Sequence, residues 1–425
     1  MPDQGQPNTA ITISTPFSVP DRSTISILKS APESMPERST ISILKSAPES
    51  STISIPKSAP ESVPESTLLV GSDEFKHDFE AHARDAKKRL LIQCMTLEGD
   101  QAGTWLIETM LSSRARHKMI VFDDYSNVVV NDTFVYGPKG LFDRDLHAER
   151  KKLKTLLATA ESRGVKIKTT NKIGFRPDKY PFRNHKKSVV SDDQVWLGGI
   201  NISDHNFSWN DLMIRFGDRE LADAVADDIH SNAEGVPTSQ MIDWGSHTLY
   251  LLNYRDKSVS DKLYHDILSA TTSIDIISPY ITDPLLGLLK ERSDTLDIRI
   301  YSPANNNKSV FTRYLRSIHR EGWFQLFELP GTMSHMKVIL TDHDTLFIGS
   351  SNFDFASYYF EDEIMIRSTD SQLIRQFIDR VLDVYRRDAK QIDKSEFYRS
   401  TKLGLDLLIR VISKLDKHKS YAMDR

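Results

Sequence analysis

The segment His185-Lys186-Lys187-Ser-Val-Val-Ser-Asp192, closed by Gly198-Gly199-Ile200-Asn201, returns in the second half of the chain. There it reads His335-Met336-Lys337-Val-Ile-Leu-Thr-Asp342, closed by Gly349-Ser350-Ser351-Asn352. Both copies hold His-x-Lys, four residues, Asp, a short gap and Gly-[Gly/Ser]-x-Asn. In a strand the side chains alternate faces, so a His and a Lys two residues apart point the same way. Val189-Val190 and Val338-Ile339-Leu340 suit a buried strand. Asp192-Asp193-Gln194 and Asp342-His343-Asp344 suit turns, after which Val-Trp-Leu and Leu-Phe-Ile return as the next strand. Such a hairpin brings the Gly-x-x-Asn end back beside His-x-Lys. Each half then offers an imidazole, an ammonium and an amide, and two facing halves offer two of each.

Working outward, the elements around the two motifs follow one order. Phe75, Phe79, Ala83 and Ala86 fall at helical spacing before the strand candidate Arg89-Leu-Leu-Ile-Gln, and a helix over 103–116 precedes the strand Met119–Phe122. In the second half a helix over 261–270 precedes the strand Ile274–Ile277, and a helix over 285–292 precedes the strand Leu296–Tyr301. Leu373, Phe377, Val381 and Tyr385 form the apolar stripe of a closing helix. Strand–helix–strand order repeated in two halves predicts an α/β fold with an internal duplication. Each domain is expected to be a mixed sheet flanked by helices, with the site at a pseudo-two-fold interface. The expected segments are a low-complexity tail over 1–66, a first domain over 67–236, a second over 237–398 and a basic amphipathic helix over 399–425.

The residue types in the motifs suit phosphoryl chemistry. One neutral His can attack phosphorus while the other protonates the leaving oxygen. Two Lys and two Asn can hold the non-bridging oxygens as charge builds. This set requires no metal and no cofactor. A lone His-x-Lys would read as a core histidine beside a surface charge; two full copies do not.

The pattern resembles the phospholipase D superfamily of the two-motif type, over residues of about 68–395. The resemblance implies that His185 and His335 are the nucleophile and the general acid, with His185 the expected nucleophile. It places Lys187, Lys337, Asn201 and Asn352 on the phosphate, and puts Asp192 and Asp342 in the conserved motif as structural groups or members of the catalytic set. Glu363 matches an acid that orients the opposing His, and Asp211 is its expected first-half equivalent. Arg183-Asn184-His185, Pro330-Gly-Thr-Met333-Ser-His335, Glu98-Gly-Asp100, Phe122-Asp123-Asp124 and Ser278-Pro279-Tyr280 are similar to bacterial cardiolipin synthases. Those enzymes transfer a phosphatidyl group to an alcohol, which implies an anionic phospholipid and an alcohol acceptor as partners. A metal-independent nuclease on the same site, with nucleic acid as partner, is a second reading, and a non-catalytic scaffold a third. There are departures. The first motif has five residues between Asp192 and Gly198 where the pattern has six. Gly199 stands for Ser, and Ala356 and Glu361 stand where relatives carry Arg and Asn.

Composition narrows the setting. At 425 residues the chain is long enough for two domains, and a net charge of −4 implies no general affinity for nucleic acid or anionic membrane. Basic surface must therefore be local; between Glu149 and Lys187 there are thirteen Lys/Arg against three Asp/Glu. The single cysteine, Cys94, sits in an apolar run and excludes a disulfide framework. The motif Ser-Thr-Ile-Ser-Ile opens three near-copies at Ser23, Ser39 and Ser51, in a Ser- and Pro-rich segment expected to be disordered. No stretch reaches the ~20 apolar residues that span a bilayer, and the first residues lack a signal-peptide pattern. A cytoplasmic protein, peripheral on the inner face of the membrane, is expected, with Leu403, Leu407, Val411 and Leu415 as one candidate contact stripe.

Overall fold

The computed structural model describes residues 52–54, 66–174, 177–395, 404 and 407. Most of the expected C-terminal helix over 399–425, and of the tail over 1–66, lies outside the described residues. Within that tail the structure departs from the expectation at one point. Thr52–Ser54, from the third repeat, forms a strand parallel to Gln240–Trp244. Its short Thr-Ile-Ser run suits an open sheet edge, where unpaired backbone groups template a further strand.

Two mixed sheets carry the fold. The first runs Ser66–Val70, Leu212–Gly217, Gln194–Gly198, Ser188–Ser191, Arg89–Cys94, His117–Asp123, Val165–Thr170. The last three are parallel to one another and the others antiparallel. The second sheet repeats that order as His247–Leu252, Glu361–Ser368, Thr345–Gly349, Val338–Thr341, Ser273–Ile277, Asp297–Pro303, Gln325–Leu329. Here again the last three strands are parallel and the first four antiparallel. Seven strands thus match seven in order and direction, and the domain is duplicated.

The helices form where the sequence offers both caps and an apolar face. Asp100, Asp143 and Asp218 precede helices Gln101–Ser112, Arg144–Ser162 and Arg219–Ala233, and each side chain accepts a backbone N–H of the first turn. Phe75, Phe79, Leu106 and Met110 pack on one face of the first sheet with Leu90, Ile92 and Ile120. A larger core joins the two sheets, with Leu91, Val190 and Ile214 from the first and Val338, Ile348 and Ile366 from the second. Cys94 lies in the first core, where burial pushes its thiol up to about 12, so it is an inert packing group. Gly235 closes helix Arg219–Ala233 at a positive φ of 79°, and Gly245 turns the hairpin between Trp244 and His247. No helix among the described residues is long and apolar enough to cross a membrane.

Candidate active site

Both motif hairpins fold as the spacing predicts, but His185–Lys187 and His335–Lys337 lie just before the strands rather than within them. Ser188–Ser191 and Val338–Thr341 are buried strands, each turning into the strand that ends at Gly198 or Gly349. The first turn holds two residues between Ser191 and Gln194, the second three between Thr341 and Thr345. That accounts for the missing residue of the first motif. Alternation separates the side chains around His185. Lys186, between His185 and Lys187, turns away to pair with buried Asp228 at 2.6 Å. In the second motif Met336 takes that place and joins the core.

Each histidine meets a carboxylate from the opposite half. His185 Nδ1 lies 2.8 Å from Glu363 Oε1, and His335 Nδ1 lies 2.8 Å from Asp211 Oδ2. The backbone repeats the exchange. His185 N donates to Asp362 O at 2.9 Å, and His335 N donates to Asn210 O at 2.7 Å. Lys187 and Lys337 Nζ each donate to the carbonyl of the histidine two residues before. Asn201 and Asn352, the last residues of the two motifs, are also buried; Asn201 Oδ1 accepts Thr96 N, and Asn352 Oδ1 meets no hydrogen-bond partner among the described residues. Glu363 is fixed by the hydroxyls of Ser350 and Ser357. Gly199, which stands where Ser350 stands in the second half, has a steric reason. A Cβ there would fall 2.2 Å from Asp211 Oδ1. The shorter Asp211 and the missing Ser side chain go together.

The electrostatics favour neutral imidazoles. Burial, then the Lys187 charge, holds His185 well below its ordinary value, against the opposing pull of Glu361. Burial, then Lys337 and Lys187, does the same to His335. Burial also lowers Lys187 to about 8 and Lys337 to about 7. It raises Asp211 to about 6 and Glu361 to about 7. Such displaced groups, gathered where strands Ser188–Ser191, Leu212–Gly217, Val338–Thr341 and Glu361–Ser368 begin, mark a candidate chemical site. His185, Glu361 and Glu363 hold donor atoms within 4.8 Å of one another, as do Glu98, Asp100 and Glu149. In the first group hydrogen bonds among His185, Ser350, Ser357 and the two carboxylates account for the arrangement.

Asp192 and Asp342 sit apart from this cluster, at the far ends of the motif strands. Asp192 accepts the N–H groups of Lys87, Lys88 and Arg89. Asp342 accepts those of Thr271, Thr272 and Ser273 and both threonine hydroxyls. Both stand at positive φ, 50° and 52°, which Asp tolerates in turns. They tie the hairpin to the start of the neighbouring strand, and the structure gives them no contact with either histidine. Slight burial works against ionisation of Asp342, but the N–H and hydroxyl donors outweigh it and hold the carboxyl well below the usual range. Its tie is therefore intact at neutral pH and is lost only as strong acid protonates it. Asp342→Ala should lower stability by roughly 1–2 kcal/mol, as the loss of a helix cap does. It should leave kcat within a few-fold; thermal unfolding and initial rates check the two halves of that statement.

Three further side chains border the site. Trp209 places its ring 5.1 Å from that of His335, and Tyr280 lies 6.2 Å from it. Lys308, exposed, sits 4.8 Å over the Tyr280 ring, and its charge reaches both histidines. The spacing of the motifs gives no sign of Lys308. Part of the basic run between Glu149 and Lys187 is buried in ion pairs and adds nothing to the basic surface. Arg183 is buried against Asp123 at 2.6 Å, and Lys186 against Asp228.

The chain is similar to several known proteins. A family model described as the phospholipase D-like domain of cardiolipin synthase matches residues 263–383. A probable cardiolipin synthase of Bacillus subtilis is 26% identical over 232 residues, covering 48% of this chain and 46% of that protein. Cardiolipin synthase 2 of Bacillus cereus is 24% identical over 347 residues, covering 73% and 62%. The chain spans about half the length of the first curated relatives it matches. Among solved structures, the phosphatidylserine synthase of Haemophilus influenzae shares the fold at a TM-score of 0.63 and 14% identity, covering 84% of this chain and 93% of that one. The second half of the chain is thus similar to the phospholipase D-like domain of cardiolipin synthase, and the duplicated fold is shared with phosphatidylserine synthase.

Proposed function

We propose that the protein is a phosphatidyltransferase that acts on phospholipid phosphodiesters through a phosphohistidine. The observation that carries this reading is the crossed pairing, His185 with Glu363 and His335 with Asp211, each at 2.8 Å. A carboxylate accepting Nδ1–H leaves Nε2 as the basic nitrogen. In this reading Nε2 of His185 attacks phosphorus, and the bond to the leaving alcohol oxygen breaks. The leaving oxygen takes its proton from His335, whose imidazolium is favoured once the phosphate anion adds its charge to that of Asp211. Lys187, Lys337, Asn201 and Asn352 hold the non-bridging oxygens. An incoming hydroxyl then gives its proton back to His335 and displaces His185, so a lipid glycerol yields transfer and water yields hydrolysis.

Phosphatidylglycerol vesicles, incubated with and without added glycerol and analysed by mass, test this reading. A lipid with two phosphates, or phosphatidic acid, is expected; plasmid cleavage without lipid product would replace it with the nuclease reading.

The same site sets a pH profile. Below about 6 Asp211 gains a proton and releases His335. Above about 7 Lys337, and above about 8 Lys187, loses the charge that binds phosphate. The profile of kcat/KM on a soluble diester should therefore fall on both sides of a maximum between those values, with the acid limb removed in Asp211→Asn. A profile flat from pH 5 to 9 contradicts these assignments.

A further inference from the structure

We infer that the loop over 134–142, together with Tyr180, is a membrane-docking flap that seats the mouth of the site on an anionic lipid surface. Phe134, Tyr136, Leu141, Phe142 and Tyr180 are five of the eight exposed large hydrophobic side chains among the described residues, and Phe142 is 83% exposed. Single exposed apolar residues are ordinary, but four on one loop, with Tyr180 packed against Phe134, mark an interaction surface.

The loop displays these side chains from a fixed backbone. Val135 is buried with Val130 and Leu146 beneath it. Its turns are closed by Gly137 N to Phe134 O, Leu141 N to Gly137 O and Asp143 N to Gly140 O, at 2.9–3.1 Å. At Gly140 a Cβ would meet Phe134 O at 2.4 Å, so the tight turn requires glycine. The Phe134 ring packs on Tyr136 and Tyr180 with centroids 6.0 and 6.1 Å apart. Arg150 donates to the Tyr136 hydroxyl at 2.7 Å and lies over its ring.

Charge and position select the partner. Lys139, in the loop, and Lys151, Lys152 and Lys154, on the helix behind it, are exposed. Of the nearby acids, Asp143 is occupied as the helix cap and Asp132 accepts Asn307 Nδ2 at 2.9 Å; Asp145 is exposed on the first turn. Exposed aromatics beside lysines suit the headgroup zone of an anionic bilayer, which takes an apolar body and a polar tip together. The flap also borders the site. Asn307 holds Asp132 on one side and accepts the Tyr280 hydroxyl on the other, and Tyr280 flanks His335. A lipid lifted from a bilayer under the flap would present its phosphate to the two histidines.

This inference rests on the phospholipid reading of the site, but its test does not require turnover. The full chain and the variant Leu141→Asp/Phe142→Asp are sedimented with phosphatidylglycerol and with phosphatidylcholine vesicles. The expected result is binding of the wild type to phosphatidylglycerol vesicles, weakened at least ten-fold in the variant. Turnover of a soluble diester, bis(p-nitrophenyl) phosphate, should stay within twofold. In Phe142→Trp the indole emission should shift to the blue on vesicle addition. Vesicle affinity unchanged in the double variant, no blue shift, or parallel loss of soluble-diester turnover would overturn the flap. A chain that bound vesicles through the flap yet gave no lipid product would leave the flap standing and remove the transferase reading.

Discussion

His185→Ala and His335→Ala should each lower turnover by about 10⁴-fold or more, with the fold retained. Removing a covalent nucleophile, or the acid that must act with it, leaves only binding and charge stabilisation. The size of the loss should be similar for the two, because in the proposed mechanism the site works as a unit and neither half holds a complete set. Folding should survive because the carboxylates left behind keep partners. Glu363 still accepts the hydroxyls of Ser350 and Ser357, and Asp211 still accepts the N–H of Leu212 at 2.8 Å. Initial rates on phosphatidylglycerol vesicles, beside thermal unfolding of each variant, check both statements. Near wild-type turnover in either variant would falsify the shared site.

Glu363→Gln and Asp211→Asn form the second test, with an expected fall in kcat of about 10²-fold or more for each. An amide can still accept Nδ1–H but no longer offsets the imidazolium charge, and it can present the wrong face to the ring. KM should change little, since neither carboxylate is placed on the phosphate. Each substitution lies in the half opposite the histidine it affects. A loss of that size therefore shows that catalysis crosses the interface. If kcat stayed within twofold, the 2.8 Å contacts would be packing alone.

Much of this was legible in the sequence, for reasons that differ by residue. The two hairpins that follow His-x-Lys announce themselves because a strand has period two and a hairpin has a short, countable turn. The one-residue deficit after Asp192 likewise appears in the structure as the two-residue turn beside the three-residue one. Pairings across the interface are harder. Glu363 lies 178 positions from His185, and only the resemblance to a known family brought them together. Asp192 and Asp342 share the motif with the histidines, yet they anchor the opposite ends of the strands, because seven residues of extended chain carry them away. Gly199 reads as a substitution in sequence and as room for Asp211 in the structure. Lys308 and the aromatic loop carry no periodicity. They act through where the fold sets them down, which local pattern does not encode. Thr52–Ser54 shows the converse: a short alternating run in a low-complexity segment, joined to a sheet by an edge that lies far along the chain.

The most direct test is to trap the intermediate. The full chain is mixed with phosphatidylglycerol carrying a labelled phosphate, quenched in denaturant within a turnover, washed free of lipid and digested for mass analysis. A two-histidine covalent mechanism predicts an acid-labile, base-stable adduct on the peptide bearing His185, absent from His185→Ala. Turnover without any such adduct, or an adduct that persists when His185 is gone, would contradict it.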